Sequence, residues 1–92
     1  MLADPLLRQL SRIYQRPLET PEAARDAVRA DPGILASALF LEAAENDDVT
    51  SVESALAYCD ARLAELAPFV GDLAPAIRER FAEKVAAWSA VG

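Results

Sequence analysis

Length, composition and charge limit what this protein can be. It has 92 residues, of which 53% are hydrophobic and 26% are charged, and its formal net charge is −6 at pH 7. This composition excludes a disordered chain, and an acidic chain gains no affinity for nucleic-acid phosphates through counterion release. We therefore expect a single globular domain over residues 1–92 that does not bind nucleic acid.

Residue usage indicates an origin and a location for the chain. Twenty residues are alanine, which favours closely packed helices, and eight arginines accompany a single lysine. This bias is typical of GC-rich coding, so we expect a bacterial protein. The single cysteine forms no internal disulfide, the first residues lack a signal-peptide pattern, and no apolar stretch approaches the roughly 20 residues that span a bilayer. The expected location is the cytoplasm, with no membrane contact.

Three pairs of a capping residue and a proline predict where helices begin in the first half of the chain. The Asp or Thr oxygen accepts a hydrogen bond from a free amide at the helix start, and proline has no amide to leave unpaired. The pairs are Asp4-Pro5, Thr20-Pro21 and Asp31-Pro32. They predict helices over about 5–15, 21–30 and 32–45.

The first predicted helix carries a row of arginines opposite its apolar stripe. Arg8, Arg12 and Arg16 recur at every fourth position with no acid between them, and like charges at this spacing repel each other. One interpretation is a solvated face. The other is that the row pairs with carboxylates, either those of residues 31–66, where eight acids accompany Arg62 alone, or those of a partner.

The third predicted helix is apolar on every side. Residues 34–41 carry no charge, and at 100° per residue their large side chains surround the helix axis. Four neighbouring helices cover such a helix poorly, because each has its own stripe to bury. We therefore predict a symmetric homodimer whose interface includes the face of Phe40 and Leu41 or the turn of Phe69 and Val70. The alternative is a monomer in which this helix is simply the centre of the core.

The fourth predicted helix covers about 51–66. Thr50 and Glu53 have the spacing of a capping box at its start, and Pro68 ends it because the residue before a proline is disfavoured in helical conformation. Cys59 lies in the middle of its apolar stripe. We therefore expect a buried thiol with a raised pKa rather than a nucleophile.

The last predicted helix covers about 73–90 and follows a short connection in which Phe69 and Val70 are expected to be exposed. Its stripe recurs at helical spacing from Leu73 to Trp88. No run of residues alternates as a strand does. The predicted fold is an all-α, compact single-domain bundle of about five helices, with the apolar third helix at its centre.

Side chains for catalysis or metal binding are scarce. The chain has no histidine, and Lys84 is interpreted as a residue whose stem lies on apolar surface while its ammonium stays in water. Five acids cluster around the connection between the third and fourth helices without the spacing of an EF-hand loop. They are Glu42, Glu45, Asp47, Asp48 and Glu53. We interpret them as solvated helix ends, and we predict no catalytic residue, no metal site and no cofactor.

These features favour a non-enzymatic interaction protein of the adaptor, inhibitor or immunity type, which binds itself and a protein of complementary charge. The second interpretation is a helical binder of a hydrophobic ligand, in which the third helix and four aromatic residues line a pocket. Those residues are Tyr14, Phe40, Phe81 and Trp88. An enzyme that uses carboxylates alone is the third.

Overall fold

The computed structural model describes the backbone of residues 5–91 and the side chains of residues 5–89. Within this range the chain is all-helical, with no strand. The helices are α1 (Pro5–Tyr14), α2 (Pro21–Ala30), α3 (Pro32–Ala44), α4 (Val52–Glu65), α5 (Ala67–Val70) and α6 (Ala74–Val91), and a 3-10 turn (Gly71–Leu73) joins the last two. The five predicted helices and the all-α fold are confirmed, whereas the short α5 was not predicted.

The starts of α2 and α3 follow the predicted capping chemistry. The Thr20 hydroxyl oxygen accepts a hydrogen bond from the Ala23 amide at 3.1 Å, and the Asp31 carboxylate accepts one from the Ile34 amide at 3.3 Å. A proline occupies the first turn of both helices. The capping role predicted for Asp4 falls outside the described residues.

The capping box of α4 is one residue away from the predicted one. Ser51, not Thr50, is the N-cap, and its hydroxyl accepts a hydrogen bond from the Ser54 amide at 3.1 Å. The Ser54 hydroxyl in turn accepts one from the Ser51 amide at 2.9 Å. The prediction for Thr50 and Glu53 is wrong because a serine pair supplies the same reciprocal bonds one position later.

The end of α1 reverses the chain sharply through a Schellman motif. The Arg16 amide donates to the Ser11 carbonyl at 3.1 Å and the Gln15 amide donates to the Arg12 carbonyl at 3.3 Å. Gln15 adopts the left-handed conformation, with φ of 57°, where glycine is the usual residue. The following residues return along α1, and the Leu18 amide donates to the Ser11 hydroxyl at 2.9 Å.

The core is built mainly from one face of each long helix. Its largest fully buried side chains include Leu10 of α1, Leu35 and Leu39 of α3, and Ile77 and Phe81 of α6. Helix α3 contacts α1, α2, α4 and α6. The stripe predicted for α6 is buried through Val85, but Trp88 is half-exposed, so the docking predicted for its last turn is only partial.

The segment after α4 differs from its prediction. Pro68 lies in the first turn of α5, where a missing amide costs nothing, and both Phe69 and Val70 are buried. Helix α5 packs against α2, whose buried residues are mostly alanines, so its neighbours can approach closely. The expectation that Phe69 and Val70 are exposed is therefore wrong.

Candidate functional site

Helix α3 buries one face and exposes the other. Leu35, Leu39 and Ala43 lie in the core, whereas Ile34 and Leu41 on the opposite side are 39% and 60% exposed. This division follows from the helical period, because residues seven apart lie on the same side of a helix. The chain by itself therefore does not bury the uniformly apolar helix on every side.

The exposed side of α3 forms one wall of an open groove of about 500 Å³ between α1, α3 and α6, here called the α3 groove. Its apolar lining comes from Ile13, Ile34, Ala38 and Leu41. Four charged residues also line it, two of each sign: Asp31, Arg80, Glu83 and Lys84. An apolar centre with polar residues around it is the usual anatomy of a protein interface.

The charged residues of the α3 groove are available to a partner. Among the described residues, Arg80, Glu83 and Lys84 form no ion pair within 4 Å. The Asp31 carboxylate caps α3, and its backbone carbonyl accepts a hydrogen bond from the Tyr14 hydroxyl at 2.8 Å. A partner of either charge would thus find an opposite charge in the groove.

Phe40, which the sequence assigned to the interface, packs within its own chain. Its ring is half-buried and meets the rings of Phe81 and Trp88 edge to face, with centroid distances of 6.1 and 5.9 Å. Three of the four aromatic residues that were predicted to line a ligand pocket therefore contact one another. Of the predicted interface pair, Leu41 is the exposed member.

The predicted interface turn of Phe69 and Val70 offers little surface. Both side chains are at least 95% buried in the chain itself, at 5% and 2% exposure. A residue buried in this way contributes to an interface only after the fold opens. Exposed apolar residues that could contact a partner without such opening, Ile34 and Leu41, lie in the α3 groove.

The arginine row lies on the surface of α1 and of the turn that follows it. Arg8, Arg12 and Arg16 are exposed, and none of them forms an ion pair within 4 Å among the described residues. The predicted pairing of this row with carboxylates of residues 31–66 in the same chain is therefore wrong. Glu42, which lines a surface depression together with Arg12, instead forms its ion pair with another arginine, Arg62.

Arg62 joins three helices. Its Nε donates to Glu42 of α3 at 3.0 Å, and its two terminal nitrogens donate to Gln9 of α1 and to Glu65, both at 2.7 Å. Burial alone would lower the pKa of Arg62, but the Glu42 and Glu65 carboxylates outweigh burial and raise it. The same Glu42 oxygen accepts a hydrogen bond from the Tyr58 hydroxyl at 2.8 Å, and burial together with that bond raises the pKa of Tyr58.

Sequence reasoning did not identify this network. Its only signal was that Arg62 is the single base among eight acids in residues 31–66. Sequence reasoning also did not assign Ile13 and Ile34 to a surface site, because their positions at the groove depend on how α1 and α3 pack. Leu41 and the arginine row, which were both named from the sequence, are exposed.

Cys59 and the acidic residues of the α3–α4 connection are the remaining candidates for reactive groups. Cys59 is fully buried, and burial, with a contribution from Asp60, raises the pKa of its thiol to about 11, as the sequence predicted in direction. No group of three acidic or cysteine side chains within the described range is arranged to hold a metal ion. Asp47 and Asp48 are exposed in the middle of the α3–α4 connection.

Two further findings bear on function. No helix in the described part of the chain is long and apolar enough to cross a bilayer. Comparison with protein-family models, with curated proteins and with solved structures finds no match to this chain.

Proposed function

We propose that this protein is a non-enzymatic interaction module that forms a symmetric homodimer through the α3 groove. The observation that carries the proposal is the exposure of Ile34 and Leu41 on a helix whose opposite face is core. Exposed apolar side chains grouped on one face are typical of protein interfaces, whereas isolated ones are ordinary. The composition adds the expectation of a bacterial, cytoplasmic protein, and this remains part of the proposal.

The spacing of the exposed residues suits contact between two copies. Ile34 and Leu41 are separated by seven residues, or about 10 Å along the helix axis. The half-buried residues between them, Ser37 and Ala38, are small. A two-fold axis passing between Ser37 and Ala38 would set Ile34 against Leu41 of the second copy, and the small residues would let the helices approach closely.

Charge also suits a two-fold arrangement. Asp31 lies at the start of α3, and Lys84 lies near its other end, because Phe40 contacts both Phe81 and Trp88 and so crosses α6 around residue 84. The two-fold axis would therefore bring Lys84 of one copy towards Asp31 of the other. Opposite charges at the edge of an interface set its register more than its affinity.

The test compares two substitutions of exposed apolar residues. Leu41→Glu places a carboxylate at the centre of the proposed contact, whereas Val52→Glu changes a residue of similar exposure, 42%, at the start of α4. Light scattering across a dilution series should find a dimer for the parent and for Val52→Glu. Leu41→Glu should dissociate at about thirtyfold higher concentration or more, since a central interface residue contributes about 2 kcal/mol.

The Leu41→Glu variant should have the same helix content as the parent by circular dichroism, because Leu41 is mostly exposed in the single chain. A parent that is monomeric at every concentration contradicts self-association. A dimer that survives Leu41→Glu but is lost in Val52→Glu would instead assign the contact to the α4 side.

A further inference from the structure

A second groove lies beside the arginine row. The sharp turn at Gln15 returns the chain along α1, and the Ser11 hydroxyl fastens this turn by donating to the Leu7 carbonyl at 2.8 Å while it accepts from the Leu18 amide. Between α1 and the turn is an open groove of about 440 Å³, here called the arginine groove. Leu7, Pro17 and Leu18 supply its apolar lining, and Arg8 and Arg12 stand on its wall.

The arginines of this groove differ from three of the six other arginines in the chain. Arg25, Arg62 and Arg78 each pair with a carboxylate of the same chain. Arg8 and Arg12 form no ion pair among the described residues, although Glu19 lines the same groove. Two like charges one helical turn apart destabilise the helix, and no ion pair within 4 Å among the described residues offsets this.

The charged and apolar residues that line the arginine groove together indicate what kind of ligand it would bind. Unpaired guanidinium groups attract carboxylates, which they bind in a bidentate manner. The apolar lining fits an aliphatic side chain, as in other grooves that bind an amphipathic segment. A nucleic acid fits less well, because a chain of net charge −6 repels an extended polyanion.

We propose that the arginine groove binds an acidic segment of another protein, whose carboxylates pair with Arg8 and Arg12 and whose aliphatic side chain contacts Leu7. This site is separate from the α3 groove. It does not depend on self-association, because Leu7 and Arg8 line the arginine groove and do not line the α3 groove.

The experiment is a titration of the full-length, isotope-labelled protein, followed by backbone amide chemical shifts. The probe is a synthetic amphipathic peptide in which glutamates surround leucines at every fourth position. Control peptides carry lysine in place of glutamate or serine in place of leucine. Shifts are expected for residues 7–12 and for Leu18 and Glu19 with the first peptide only, and binding should weaken as salt rises.

The substitutions are matched in charge. Arg8→Gln with Arg12→Gln should weaken binding of the acidic peptide by about fivefold or more, as expected for the loss of two ion pairs. Arg29→Gln with Arg78→Gln removes the same charge from exposed positions elsewhere and should leave binding within about twofold. Equal weakening in both double variants would show general attraction between opposite charges and would overturn the proposal.

Four other results would also overturn it. The first is an acidic peptide that causes no shifts in the groove at millimolar concentration, and the second is a lysine peptide that binds equally well. A single-stranded oligonucleotide that binds these residues more tightly than the peptide would assign the groove to nucleic acid. Loss of the dimer in Arg8→Gln with Arg12→Gln would assign it to a second copy. Unchanged peptide binding by Leu41→Glu is expected, so failure of the dimer and failure of this site are distinguishable.

Discussion

Removing the charge of Glu42 should destabilise the fold more than removing the charge of Glu65, although both carboxylates bind the same arginine. The side chain of Arg62 is only 12% exposed, that of Glu42 is 35% exposed, and that of Glu65 is 61% exposed. Glu42 also links α3 to α4 through Arg62 and Tyr58, whereas Glu65 bonds within its own helix. The two substitutions therefore separate a bond between helices from a bond within one.

The magnitude follows from burial. A hydrogen bond to a charged group contributes about 1.5 to 3 kcal/mol when it is well buried, and the partial exposure of Glu42 reduces this to about 1 to 2 kcal/mol for Glu42→Gln. An exposed pair spaced three residues apart on a helix contributes about 0.5 kcal/mol or less, which is the expectation for Glu65→Gln. In a domain of this size, 1 kcal/mol corresponds to about 4 to 8 °C in Tm.

Urea and thermal unfolding followed by circular dichroism measure both values. The assay should be repeated below the concentration at which the parent associates, so that changes in assembly do not enter the free energy of unfolding. Equal losses for the two variants, or a larger loss for Glu65→Gln, would refute the argument that Arg62 acts mainly as a link between helices.

Three further results are expected. Gln15→Gly should raise the free energy of unfolding by about 0.5 to 1 kcal/mol, because glycine adopts φ of 57° without strain; a loss in urea unfolding would contradict this. Burial, with a contribution from Asp31, raises the pKa of Tyr14 from 10.0 to about 12, so the neutral phenol stabilises the fold below pH 10 and this stability is lost as the pH rises towards 12. The stability advantage of the parent over Tyr14→Phe should therefore shrink between pH 10 and 12, and an advantage that grows would oppose the assignment. Cys59 should resist an aromatic disulfide reagent until urea unfolds the chain, and rapid labelling of the folded protein would show that its burial is incomplete.

The sequence predicted best those elements that depend on local chemistry. The starts of α2 and α3 follow from Thr20 and Asp31, whose side chains reach amides only three residues away. Sequence reasoning misplaced the start of α4 because two capping boxes overlap there, and a local pattern cannot choose between Thr50 and Ser51. Local signals therefore fixed the helices to within a few residues.

Features that depend on packing were predicted less well. Phe69 and Val70 follow a proline and precede a glycine, a pattern typical of an exposed turn, yet α5 packs against α2 and both side chains are buried. In the same way, no periodicity shows that Arg62 of α4 reaches both Glu42 and Gln9, because their meeting depends on how three helices are arranged. Long-range contacts of this kind decided which charges remain free for a partner.

Helix α1 lies between the α3 groove and the arginine groove, so the two proposed interactions can occur on the same dimer. Ile13 lines the α3 groove while Leu7 and Arg8 line the arginine groove, so one helix borders both surfaces with different side chains. A dimer formed through the α3 groove would leave both arginine grooves open. Two identical sites on one particle bind a partner with repeated acidic segments more tightly than either site alone, provided the segments span the distance between them. Self-association would then serve to raise the affinity of an interaction that a single exposed groove makes weak.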